Sequence, residues 1–61
     1  MTYRAYYFIK DDLKVYYKDF TFLPLTTRDE SDTIIRHKLK SKIKNIDDII
    51  IKNITKPIQE L

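Results

Sequence analysis

YRAYYFIKDDLKVYYKDF, Tyr3 to Phe20, decides the fold of this 61-residue chain. Two runs rich in Tyr, Phe, Val and Ile, residues that suit a pleated, half-buried surface, flank Asp11-Asp12. The pattern reads as a β-hairpin. Asp tolerates left-handed backbone angles better than most residues, so Asp11-Asp12 suits a tight turn in a chain that contains no glycine. A two-residue loop there opposes Phe8 to Val15, Tyr6 to Tyr17 and Arg4 to Asp19 on one face, which reads as the core face. The other face holds Tyr3 with Phe20, Ala5 with Lys18, Tyr7 with Tyr16 and Ile9 with Lys14, and is aromatic as well. A sheet that is apolar on both sides must be covered twice. A helix of the same chain covers one face, and a second copy or a target protein is needed for the other.

Beyond Asp19 the apolar parity shifts to Phe20 and Phe22, which suggests a bend or bulge followed by a third short strand. Pro24 cannot donate to a ladder, so Phe20–Leu25 is expected as an edge strand or extended arm. Thr27 and Glu30 have capping-box spacing, with Ser31 or Asp32 as later caps, and place a helix start between Arg28 and Thr33. Ile35, Leu39, Ile43, Ile46, Ile50 and Ile54 recur at helical spacing, as one continuous helix would require. Asn45 allows a second reading, in which one helix ends there and another begins at IDDI. A third makes Ile49–Ile51 a strand. Pro57 closes whichever element precedes it. The expected architecture is α+β: a single small domain over residues 1–61, with a three-stranded antiparallel sheet (hairpin plus short edge strand), one or two C-terminal helices, and assembly as a homodimer.

Size supports self-association. A chain this short buries only roughly 60% of the surface its unfolded form exposes. With no cysteine and a single histidine, neither disulfides nor a Cys-based zinc site can reinforce it. No apolar run approaches a membrane span and no signal pattern opens the chain, so a cytoplasmic protein with no membrane partner is expected. Charge divides unevenly. Residues 1–32 hold five bases and six acids, whereas residues 33–61 hold seven bases and three acids.

The absence of glycine removes the phosphate-cradling loops of nucleotide enzymes, and His37 alone offers neither a nucleophile–base pair nor a ligand set. Asp11-Asp12 and Asp47-Asp48 read as turn formers or caps. These features argue for a protein that is not an enzyme and carries no cofactor or metal. RHKLKSKIK resembles a nucleic-acid contact, but Lys38, Lys40, Lys42 and Lys44 step by about 200° each on a helix and so spread around it. They also fall where the helix dipole favours bases. Nucleic-acid binding, with Tyr7 and Tyr16 stacking on bases, is the alternative function.

YYFIKDDLKVYYKDF followed by DESDTIIRHKLKSKI, within residues 3–43, resembles a small family of dimeric, phage-encoded inhibitors of uracil-DNA glycosylase. The matching positions are Asp11-Asp12, Lys14, Tyr16-Tyr17, Asp19-Phe20, and Asp32 followed by Ile34-Ile35-Arg36 and Leu39. The resemblance implies a dimer, each subunit a three-stranded antiparallel sheet plus a helix. It also implies action as a DNA mimic in the enzyme's DNA-binding groove, within the host cytoplasm. In the family, the segment after Asp-Phe supplies acidic and tyrosine contacts, and an apolar pocket receives the side chain that the enzyme inserts into DNA. Here that segment, Phe20 to Leu25, contains neither an acid nor a tyrosine, so Asp29, Glu30 and Asp32 become the expected source of negative charge. The expected enzyme-binding residues are Asp19, Phe20, Phe22, Asp29, Glu30, Asp32, Tyr7 and Tyr16. Ile35, Leu39 and Ile43 are expected in the core or the dimer contact.

Overall fold

The computed structural model describes residues 1–56. Strands β1 (Thr2–Ile9) and β2 (Val15–Thr21) precede helix α1 (Arg28–Lys42), and strand β3 (Ile46–Asn53) follows it. All pairings are antiparallel and the order is β2-β1-β3, so the first strand is the central one. The α+β class and three-stranded antiparallel sheet expected from the sequence are present. The third strand, however, comes after the helix rather than before it.

β1 and β2 pair in the register the hairpin implied, from Thr2 opposite Thr21 to Phe8 opposite Val15. The ladder stops there, and the expected Ile9–Lys14 pair does not form. The Lys14 N–H is taken by the Asp12 carboxylate (2.9 Å), and the Lys10 N–H donates to the Asn45 carbonyl (2.8 Å) on the other side of the sheet. Asp11 does adopt a left-handed conformation, with φ of 66°, inside a turn closed by the Asp12 N–H on the Ile9 carbonyl (3.0 Å).

Which face is core is reversed relative to the sequence expectation. Tyr3 and Ala5 are fully buried together with Ile35 and Leu39 of α1 and Ile49 of β3, while Arg4, Tyr6 and Phe8 belong to the opposite, uncovered face. The physical reason is Ala5. A helix seats where a small side chain on the central strand lets it approach, and the ring-filled Phe8/Tyr6 face has no such gap. No bulge is needed after Asp19. Phe20 simply continues the covered face, opposite Tyr3.

Phe20–Leu25 is not a separate strand either. Phe22 exchanges bonds with Met1, its N–H to the Met1 carbonyl (2.8 Å) and the terminal ammonium to its own carbonyl (3.0 Å), prolonging the β1–β2 ladder. A turn then closes from the Thr26 N–H to the Leu23 carbonyl (3.0 Å).

Thr27 caps α1. Its Oγ1 accepts from the Glu30 N–H (3.2 Å) and donates to Glu30 Oε1 (3.0 Å), while Asp29 and Glu30 occupy the first turn and Lys40 and Lys42 the last. Ser31, buried beneath the first turn, donates its hydroxyl to the Thr27 carbonyl (3.0 Å).

The single long helix and the pair of helices are both overturned. Ile43 is already extended (φ −119°, ψ 125°) and Asn45 is left-handed (φ 63°), so the chain reverses and IDDIII pairs with β1. The register of β3 slips between Phe8 and Ile9, leaving one extra residue, and this bulge lets Ile46 and Ile49 face the same core despite their odd separation. Closure at Pro57 lies outside the described residues.

Replacing Ile35 by Ala should cost about 2–5 kcal/mol, because the residue is wholly buried beneath the sheet. Ile34→Ala, one position round the helix and 38% exposed, should cost far less. Urea unfolding of both variants measures the difference.

Candidate functional site

The residues expected to bind a partner fall on three separate surfaces. Tyr7, Tyr16, Phe20 and Phe22 lie on the helix side of the sheet. Tyr7, Phe20 and Phe22 pack against the core, Phe22 edge-on to Tyr3 at 6.1 Å, and Tyr16 stacks on Tyr7 at 5.6 Å with the rings 15° from parallel. The Tyr16 hydroxyl donates to Asp12 (2.8 Å). These four rings are therefore committed to the fold. Lys18, on the same side opposite Ala5, stays exposed at the margin.

Asp19 lies on the open face, where Arg4 grips it with two hydrogen bonds, Nε to Oδ1 (2.8 Å) and Nη2 to Oδ2 (3.1 Å). The guanidinium also sits 4.4 Å from the centre of the Tyr17 ring. The remainder of this face is apolar in its middle: Tyr6 beside Tyr17 and Ile50, and Phe8 beside Val15. Tyr17 and Val15 are each 58% exposed and Ile50 is 43% exposed. No element of the described chain covers them.

The third surface is the outer side of the first turns of α1. Asp29, Glu30, Thr33 and Ile34 line a shallow hollow of about 360 Å³. Neither Asp29 nor Glu30 has a basic partner among the described residues, whereas Asp32 is engaged by Arg36 one turn on. Ile34 was not among the expected contacts. The signal for it was the Ile34-Ile35 doublet, since only one member can lie on the buried stripe and the other must project elsewhere.

A larger hollow of about 520 Å³ opens where the loop after β1 meets the start of β3, and Asp11, Asp12, Asp47 and Asp48 rim it around Phe8 and Ile50. Antiparallel pairing of β1 with β3 brings the two carboxylate pairs to the same end of the sheet, which neither pair suggests by itself. Among the described residues they do not converge as a metal-ligating group.

Local bonding shifts two of the acids. The Lys14 backbone N–H and the Tyr16 hydroxyl hold the Asp12 carboxyl below its ordinary 3.8, and Arg4 does the same for Asp19. Reciprocally, the bond to Asp12 raises Tyr16, and the bond to Asp19 raises Arg4.

Comparison of the chain with protein-family models, with curated proteins and with solved structures found no match.

Because both carboxyls titrate below 3.8 in the folded chain, their contribution to stability is complete above that value and is lost as pH falls through the depressed values. Urea midpoints measured from about pH 6 down to 2 should fall in the acid limb, and Asp12→Asn and Asp19→Asn should each flatten that fall. A variant that tracks the parent protein through the limb would remove its carboxylate from the explanation.

Proposed function

We propose that this protein is a non-enzymatic inhibitor of a uracil-DNA glycosylase, acting as a homodimer that occupies the enzyme's DNA-binding groove as a DNA mimic. The resemblance of residues 3–43 to such inhibitors supplies the target. The observation that carries the reading is the pair of unneutralised acids, Asp29 and Glu30, beside the apolar Ile34 in the hollow on α1. A glycosylase groove is basic because it holds DNA, and carboxylates on a rigid helix meet that charge without a nucleotide. An apolar patch between them suits a hydrophobic side chain that the enzyme would otherwise push into the duplex.

This assignment moves the anchors. Phe20 and Phe22 are packed against the protein's own core, so the apolar contact is assigned to Ile34, and Asp19 and Asp32 are secondary to the free acids. The nucleic-acid alternative draws less support. Its exposed aromatics, Tyr17 and the half-buried Tyr6, lie on the face away from the helix, while Lys38, Lys40, Lys42 and Lys44 lie on or just after the helix. The open-face aromatics and the four helix lysines are thus on different sides of the molecule, and of the two bases beside those aromatics Arg4 is already bonded to Asp19, whereas single-strand binders combine stacking and a run of bases in one groove.

In a glycosylase assay the protein should inhibit stoichiometrically at salt that abolishes nonspecific DNA coating. Asp29→Asn with Glu30→Gln should slow association, and Ile34→Ala should speed dissociation. Changing the four lysines to Gln should matter little. Lack of inhibition across several bacterial glycosylases would overturn the target, and a dead lysine variant beside fully active acidic and Ile34 variants would favour nucleic-acid binding.

A further inference from the structure

The open face of the sheet has its own charge order. At one end Lys52 of β3 lies beside Arg4, which is already bonded to Asp19. The middle is apolar, with Tyr17, Tyr6 and Ile50 in one row across the three strands. At the other end Asp48 lies beside Phe8, at the edge of the hollow whose rim carries four carboxylates and no base. A face with one basic end, an apolar centre and one acidic end is complementary to itself once turned end for end.

We propose that two copies of the chain dock through this face, with the two-fold axis lying in the interface and running across the strands. The proposal deepens the homodimer of the reading above and rests on it. This axis sets β3 over β3 of the second copy with the strand directions reversed, so that Lys52 meets Asp48 of the other copy twice, once on each side. Tyr6, Tyr17 and Ile50 meet their own counterparts at the centre, as an isologous contact requires. The other in-plane axis, along the strands, sets Arg4 on Arg4 and brings the two acidic ends together; it sets Lys52 over Asp19, a carboxylate that Arg4 already holds, and leaves Asp48 over Val15 with no base. Like charges facing each other across a dry contact are strongly unfavourable. The outcome is a sandwich of two sheets with a helix on each outer surface, the packing in which inner faces interdigitate about 10 Å apart. Both copies of the Asp29, Glu30 and Ile34 hollow remain on the outside.

Sedimentation of the full chain at micromolar concentration tests the proposal, with circular dichroism as the control for folding. The parent protein should be a dimer. Tyr17→Glu changes a side chain that is already 58% exposed in the single chain, so the fold should persist while the dimer is lost, because two carboxylates then meet at the axis. Lys52→Asp and Asp48→Lys should each weaken the dimer by roughly tenfold or more, and the double variant should restore it. A parent protein that sediments as a monomer would overturn both the homodimer and this surface. A dimer indifferent to Tyr17→Glu would leave the homodimer standing and overturn the surface, and failure of the double charge swap to rescue would overturn the orientation of the axis.

Discussion

The contact on which the rest of the molecule depends is the seating of Ile35 and Leu39 over Ala5 on the central strand. All three are at most 2% exposed, and with Tyr3 and Ile49 they make up the buried apolar core of the described residues. Ala5 sets the spacing, since any larger side chain there would hold the helix off the sheet. Helix α1 is only 15 residues long and amphipathic, and seating it on this face uses its apolar stripe completely. Nothing in the described chain is left to cover the other side.

Two consequences follow for surface chemistry. Aromatic residues that would be adhesive if free, Tyr7, Tyr16, Phe20 and Phe22, are taken up in finishing the core around its margin. The exposed apolar side chains on regular elements are instead Tyr17, Val15 and Ile50 on the open face and Ile34 on the helix, with Leu13, Leu23 and Leu25 exposed in the loops. Charge is distributed in the same way. Asp12, Asp19 and Asp32 each have an internal partner, whereas among the described residues Asp29 and Glu30, like Asp11, Asp47 and Asp48, meet no base; what sets the helix pair apart is its place beside the exposed Ile34.

Local rules were legible in the sequence where a single residue type settles the conformation. The register of the hairpin, the left-handed turn at Asp11 and the Thr27 cap were all readable because each depends on neighbours in the chain. The choice of core face was not, because aromatics occupy both sides of β1 and hydrophobicity alone does not separate them. The deciding feature was the smallness of Ala5, which acts through a helix some thirty residues away. The stretch after Ile43 misled for a different reason. Ile46, Ile50 and Ile54 fit a helical stripe, but Ile49 and Ile51 fit a strand equally well, and tertiary pairing with β1 decided between them. Asn45 marked the boundary in the sequence, yet the same residue type serves to cap a following helix. On the helix, the acids of the first turn were visible in advance, and Ile34 beside them was legible in the Ile34-Ile35 doublet, because Ile35 lies on the apolar stripe and its neighbour must project elsewhere.

The central claim is that the helix covers the Tyr3/Ala5 side of the sheet and that no element of the described chain covers the Tyr6/Phe8 side. Nuclear Overhauser contacts from the Ile35 and Leu39 methyl groups test it directly. The account predicts contacts from both to the Ala5 methyl and the Tyr3 ring, with none to the Tyr6 or Phe8 rings. Strong contacts from Ile35 or Leu39 to Phe8 and Tyr6, with Ala5 silent, would contradict it.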